Sequence, residues 1–199
     1  MTDPANVKQD VEAILAEFAT RKDLLESFCA KTKVLIDAAL EDANIRFQSI
    51  QARVKTKKKL REKYLEKPDY KRLDDITDLA GLRVITYYED EIDLVVEVIT
   101  REFALDPKHT NDRRKAEPDK FGYRAFNCVC SHSAERAKTV EYKRFAQVTF
   151  EIQVTSVLGH AWAEIEHVWY DLKDAYPDDI KRRLQRMAAL LRSCGIRIS

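Results

Sequence analysis

Leu79-Ala-Gly-Leu-Arg-Val-Ile-Thr-Tyr-Tyr88 decides the fold. This short run of apolar, β-branched and aromatic residues, entered through the acidic turn Asp74-Asp75-Ile76-Thr77-Asp78, predicts a buried strand. Directly after it, Ile92, Val95, Val96, Val98, Ile99 and Phe103 recur at helical spacing between Glu89 and Ala104, an amphipathic helix. Two further strands are predicted, Tyr123 to Ser131 and Phe145 to Thr155. In the second, Val148, Phe150, Ile152 and Val154 alternate with Thr149, Glu151 and Gln153, so Glu151 and Gln153 point the same way. Strand, helix and then more strands predict the α/β (α+β) class, with helices layered on a sheet.

Working outward, Asp3-Pro4 reads as an N-cap followed by proline at the first helical position. Val7, Val11, Ile14 and Phe18 continue the helical period, which resumes from Leu24 to Ala43. No proline falls between Pro4 and Pro68, so this quarter is a helical hairpin or one long helix. Residues 1–45 are therefore expected as an N-terminal helical region, 46–176 as the core, and 177–199 as a C-terminal helix packing Ile180, Leu184, Met187 and Leu191. The charged, proline-containing segment Asp106 to Gly122 has no period and predicts a long loop, a kind of segment that commonly carries function. From about Val157 a helix is predicted to bury Leu158, Ala161, Trp162, Ile165, Trp169 and Leu172. His160, Glu164, His167 and Asp171 would occupy another of its faces.

Composition removes several classes of function. The glycines are 81, 122, 159 and 195, which cannot write either the G-x-G-x-x-G fingerprint or a Walker A loop, so any nucleotide must be held by side chains. No stretch approaches the roughly 20 apolar residues of a membrane span, and the N-terminus lacks a signal-like pattern, so a cytoplasmic chain with no membrane partner is expected. Cys128 and Cys130 are one residue apart with no second pair, which reads as free thiols on one strand face rather than a zinc site. Overall charge is balanced, 35 Lys and Arg against 34 Asp and Glu. The balance is not local: residues 46–72 hold 11 Lys and Arg against three acids.

That basic run is either a solvated helix face or a polyphosphate cradle. Arg53 and Lys55 form an extended pair, whereas Lys59 and Lys63 project from one side of a helix beginning near Lys57, an arrangement suited to a cradle. Asp78 and Glu151, at the ends of strands, are hard oxygen donors of the kind that hold Mg2+ during phosphoryl transfer; equally, Asp78 could cap a turn and Glu151 could be a solvated strand residue. Tyr123, after Gly122, offers an aromatic face for a base or simply follows a turn. The His160, Glu164 and His167 spacing is not that of H-E-x-x-H, which favours a polar cluster bonded to a neighbouring site over zinc.

Taken in order, Arg53-Val-Lys55 with Lys63, Ile76-Thr-Asp78-Leu-Ala-Gly-Leu-Arg83, Phe121-Gly-Tyr123-Arg124, Glu151-Ile-Gln153 and His160-Ala-Trp-Ala-Glu164-Ile-Glu-His167 resemble the synthetase domain of the RelA/SpoT family, particularly its small alarmone synthetases, over about Phe47 to Leu191. The resemblance implies a nucleotidyltransferase-like mixed β-sheet flanked by helices. It also implies transfer of the β,γ-pyrophosphate of ATP to the 3′-hydroxyl of GDP or GTP. Carried onto matching positions, Asp78 and Glu151 hold magnesium and Glu151 takes the proton of the attacking hydroxyl. Arg53 lies against adenine, Lys55 and Lys63 meet the ATP phosphates, and Tyr123 stacks on the acceptor base. Lys120, Arg124 and Asn127 belong to the acceptor side, with Arg83, Gln153, His160 and Glu164 as further site residues.

Family analogy also implies a homo-oligomer. No histidine precedes His109, so no hydrolase signature is expected beside the synthetase-like motifs. The chain departs from the pattern where G-Y-x-S-x-H becomes Gly122-Tyr-Arg-Ala125-Phe-Asn127, where E-I-Q-I-R-T ends in Thr155 without its arginine, and where Lys59 replaces a frequent serine. The lysine usual four residues before the tyrosine is Asp119, with Lys120 beside it. Gly195 breaks the last helix sooner than the resemblance leads one to expect, as a truncated C-terminus would. These departures keep two rivals open: a toxin-type enzyme that pyrophosphorylates the 3′ end of tRNA and answers to an antitoxin protein, and a degenerate domain that binds nucleotides or a partner without catalysis.

Overall fold

The computed structural model describes residues 4–66, 70, 72–112, 125–172, 177, 179–180, 182–183, 186–187 and 190, with backbone alone over 4–9 and 166–172. Helix α1 (Pro4–Asp42) precedes β1 (Ser49–Val54) and α2 (Lys57–Glu66). Strand β2 (Ala80–Thr86), helix α3 (Glu91–Glu102) and strands β3 (Phe103–Asp112), β4 (Phe126–His132) and β5 (Phe150–Ser156) follow, and then α4 (Val157–Leu172). The strands form one five-stranded sheet in the order β1-β2-β5-β4-β3. Among the described strands β2 and β5 run parallel, and the other neighbours are antiparallel.

The alternative between hairpin and long helix resolves to one helix of 39 residues. Its buried residues Phe18, Leu25, Phe28, Ile36 and Leu40 share a single apolar core with Leu82 and Val84 of β2, Cys128 and Cys130 of β4, Phe150, Ile152 and Val154 of β5, and Ile92, Val95 and Ile99 of α3. Phe28 meets Phe145, Phe150 and His132 edge-on, with centroids 4.9–5.5 Å apart. The cysteines at 128 and 130 are free and buried. Burial of one sheet face under α1 and α3 leaves the alternate residues of β1, β2, β4 and β5 to build a site on the other.

Several expectations need correction. The segment from Asp106 opens as the second half of β3, not as loop. Its pattern is hidden because β3 is an edge strand whose pairing with β4 is irregular between Asp106 and Asn111, where Asp106 Oδ1 accepts the Lys108 N–H and Thr110 Oγ1 donates to the Asp106 carbonyl. Strand β5 starts at Phe150; a 3-10 turn over Lys143–Phe145 leads into it, burying Phe145 without pairing it in the sheet. On α4, Ala161 is exposed and Leu158, Trp162 and Ile165 are half-buried, so the expected apolar stripe is only partly covered. Described residues between 179 and 190 are helical, but Met187, expected in the core, is 46% exposed. Leu184 and Leu191 lie outside the described residues.

Candidate active site

Residues directly opposite in neighbouring strands share a sheet face. One row therefore runs Arg53, Gly81, Glu151 across β1, β2 and β5. The next runs Gln51, Arg83, Gln153, Asn127 and Asn111 across the whole sheet. Gln51, Arg53, Gly81, Arg83, Glu151 and Gln153 line a cleft of about 180 Å³. Gly81 forms its floor between Arg53 and Glu151. A Cβ there would meet nothing nearer than the Glu151 carbonyl at 3.9 Å, an ordinary contact, so the backbone would accept a side chain, which would stand in the cleft.

The positive side is set by α2. The Thr56 hydroxyl accepts the Lys59 N–H at 3.3 Å, capping the helix just after β1. Leu60 and Tyr64, four residues apart, are buried and fix the roll of the helix, which turns Lys63 inward. The Lys55 N–H donates to the Leu79 carbonyl at 2.8 Å, prolonging the β1–β2 pairing. The acidic turn is tied down in parallel: Arg21 of α1 reaches Asp74 at 2.6 Å, and Asp75 accepts the Arg72 N–H at 2.9 Å. As a result Lys63 Nζ and Lys55 Nζ lie 2.7 and 2.9 Å from the same Asp78 Oδ2.

Burial alone would push the Asp78 carboxyl up, but hydrogen bonds and charge from Lys63 and Lys55 outweigh it and hold the group below its ordinary value. Glu151 behaves oppositely. Burial and then the Asp78 charge push it up, with Lys63, Arg53 and Lys55 only partly offsetting them. Glu151 therefore stands in the field of Asp78. Asp78 Oδ1 is buried and has no hydrogen-bond partner among the described residues. An orphaned carboxylate oxygen beside a second carboxylate suits a hard divalent cation such as Mg2+. Among the described residues no three His, Cys, Asp or Glu cluster to hold a metal, so phosphate oxygens and water would have to complete its shell.

Helix α4 supports the other side of the cleft. The Ser156 hydroxyl accepts the Gly159 N–H at 3.1 Å and starts the helix at the end of β5, which brings His160 and Glu164 to Arg83. Arg83 Nη1 lies 3.0 Å from His160 Nδ1 and 3.5 Å from Glu164 Oε1, and its Nε donates to Gln153 Oε1 at 2.7 Å. Gln153 Nε2 in turn donates to Asn127 Oδ1 at 2.9 Å. Arginine has no acceptor, so Nδ1 of His160 must be the accepting nitrogen of a neutral ring. Burial and the Arg83 charge hold the His160 imidazole below its ordinary value, against a smaller pull from Glu164.

Arg53, Lys55, Lys63, Asp78, Arg83, Glu151, Gln153, His160, Glu164 and Asn127 thus meet on one side of the sheet. Lys120, Tyr123 and Arg124, and the side chain of His167, lie outside the described residues. Lys59 is exposed beside the cradle. Gln51 and Gly81 are cleft residues that motif reading passed over. Carrying the alternation of Arg53 and Lys55 one step back would have found Gln51.

Residues 52–175 match the family model for the region found in RelA and SpoT proteins. The chain belongs to the RelA/SpoT family. RelA/SpoT relatives among characterised proteins include the GTP pyrophosphokinase YjbM of Bacillus subtilis, 29% identical over 150 residues that cover 73% of this chain and 67% of YjbM. The GTP pyrophosphokinase YwaC of the same organism is 27% identical over 118 residues, covering 59% of this chain and 53% of YwaC, about half of its length. The RelA/SpoT fold is also that of the B. subtilis small alarmone synthetase 1 crystallised with its product pppGpp, which superposes with a TM-score of 0.67 at 24% identity over 86% of this chain and 89% of that one.

Proposed function

We propose that this chain is a (p)ppGpp synthetase that transfers pyrophosphate from ATP to the 3′-hydroxyl of GDP or GTP. The observation that carries the reading is the convergence of Lys55, Lys63, Asp78 and Glu151 beside a cleft walled by Arg53 and Arg83. In the reaction the ribose 3′-oxygen attacks the β-phosphorus, the bond from that phosphorus to the α-bridging oxygen breaks, and AMP leaves with the electron pair. Positioning and charge neutralisation make up most of what such a transfer needs. Lys55 and Lys63 exchange Asp78 for the triphosphate oxygens. Arg53 lies against adenine. Glu151, whose raised proton affinity makes it a better base than a solvated glutamate, accepts the 3′-hydroxyl proton. Asp78 and Glu151 hold Mg2+, which when bound neutralises the developing phosphate charge. Tyr123, Lys120 and Arg124 receive the guanine nucleotide.

The test is incubation of the purified protein with magnesium, ATP and GDP or GTP. Stoichiometric AMP and 3′-pyrophosphorylated nucleotide are expected, and failure with every guanine nucleotide overturns the reading. A second acceptor is favoured by one observation: α2 presents Lys57, Lys58 and Lys59 to solvent, Lys58 with 87% of its side chain exposed, beside a groove of about 520 Å³ whose Arg61 is paired with Glu12 at 2.6 Å. Such a basic face could carry the backbone of tRNA, whose 3′ end would then be the acceptor. Label appearing on deacylated tRNA and falling steeply with salt, with no label on GDP, would choose this alternative. Its cellular partner would then be an antitoxin.

A further inference from the structure

We propose that Asn127 is a positioning residue for the donor half of the site. Through Gln153 it fixes the guanidinium of Arg83, which His160 anchors from the far side. The inference rests on the synthetase reading for the identity of the ligand, but its geometry stands alone. Asn127, Gln153 and Arg83 are directly opposite one another on β4, β5 and β2. Their side chains form one line: Asn127 Oδ1 accepts from Gln153 Nε2 at 2.9 Å, and Gln153 Oε1 accepts from Arg83 Nε at 2.7 Å. On α4, His160 Nδ1 accepts from Arg83 Nη1 at 3.0 Å.

The direction of every bond in this line follows from Arg83. A guanidinium only donates, so the oxygen of Gln153 must face it and the amide nitrogen must face away, toward β4. At that position a donor finds the oxygen of Asn127. An apolar side chain there would leave the Gln153 amide unpaired beside the sheet and free to rotate its oxygen away from Arg83. With Nε given to Gln153 and Nη1 to His160 and Glu164, Nη2 has no hydrogen-bond partner among the described residues. Arg83 lines the cleft, so Nη2 remains for the nucleotide. Asn127 does not line that cleft itself. A guanidinium already held in one rotamer loses less freedom when it binds a ligand.

Positioning and direct acceptor contact make opposite predictions for Asn127. Asn127→Leu should raise the Kd of a non-hydrolysable ATP analogue, and the KM for ATP, about fivefold, the worth of one neutral hydrogen bond, while the KM for GDP stays within twofold. Asn127→Asp keeps the accepting oxygen and should restore the ATP value. In a Gln153→Met background position 153 can neither donate to nor accept from Asn127, so adding Asn127→Leu should change the Kd by less than twofold. Independently of catalysis, the Arg83 Nε–H should give a slowly exchanging 15N signal that Asn127→Leu abolishes and Asn127→Asp retains. Asn127→Ala serves for both readouts should the leucine variant not fold. A rise confined to the KM for GDP, effects of Asn127→Leu and Gln153→Met that simply multiply, or an Arg83 signal unchanged by loss of the Asn127 oxygen would each overturn the proposal. If no guanine nucleotide is pyrophosphorylated, the analogue binding and the Arg83 signal still decide it.

Discussion

Lys63 Nζ lies 2.7 Å from Asp78 Oδ2, and Lys55 Nζ shares that oxygen at 2.9 Å, while the second oxygen of the carboxylate is buried and has no partner among the described residues. Two cations share one carboxylate oxygen; under the proposed reaction a triphosphate would take over the lysines and leave Asp78 to a metal ion. The carboxylate also offsets the repulsion between two neighbouring, half-buried ammonium groups.

Asp78→Asn removes both functions. Pyrophosphate transfer is expected to fall at least about a hundredfold, the scale seen when a preorganised electrostatic partner is lost. The folded state should survive, as circular dichroism and the melting temperature would report. A variant that retains more than a tenth of the wild-type rate would remove Asp78 from the mechanism.

Glu151→Gln tests the base. Burial and the neighbouring Asp78 charge disfavour the ionised carboxylate in the folded protein, so a neutral amide relieves that penalty and the melting temperature should hold or rise. The transfer rate should drop roughly 10²- to 10⁴-fold, the range for loss of a general base. Opposite movements of rate and stability, measured on the same preparation, are the signature expected.

At position 81 the expected effect is steric. A valine Cβ would meet the Glu151 carbonyl at 3.9 Å, an ordinary contact, and a β-branched residue suits a strand interior. Gly81→Val should therefore fold, with stability unchanged or gained by up to about 1 kcal/mol. Its side chain would stand on the cleft floor between Arg53 and Glu151, so binding of an ATP analogue should weaken at least about tenfold by calorimetry.

His132 supplies a pH test of the core. It is 5% exposed, ringed by Phe28, Phe103, Tyr142 and Phe150, and burial with help from the Arg136 charge lowers its imidazole to about 4. The unfolded chain would take up the proton near pH 6.5 and the folded one only near pH 4. Between those values the unfolded state binds more protons, so stability should be full above about pH 6.5 and decline as pH falls toward 4. His132→Phe should flatten that part of the profile of melting temperature against pH; an unchanged slope would place the acid sensitivity elsewhere.

The alternation of Val148, Phe150, Ile152 and Val154 placed Glu151 and Gln153 on one face before any coordinates, because a half-buried strand writes its period of two directly into sequence. The four-residue spacing of Lys59 and Lys63 placed the start of α2 near Lys57 for a similar local reason. Strand β3 escaped, since an edge strand interrupted by a turn of its own carries no burial pattern to read. The hydrogen-bonded line from Asn127 to His160 escaped too. Its members are 26, 70 and 77 residues apart in successive pairs, and nothing local in sequence orders them.

Sequence alone determined which side chains were available: a cationic run, two separated carboxylates, strands with one apolar face and the RelA/SpoT signature. Tertiary structure decided which of them meet, through the parallel register of β2 and β5 that sets Gly81 against Glu151 and Arg83 against Gln153, and through the buried face of α2 that turns Lys63 onto Asp78. Local periodicity records which face of an element is buried, whereas register and packing angle depend on long-range contacts that no single segment encodes.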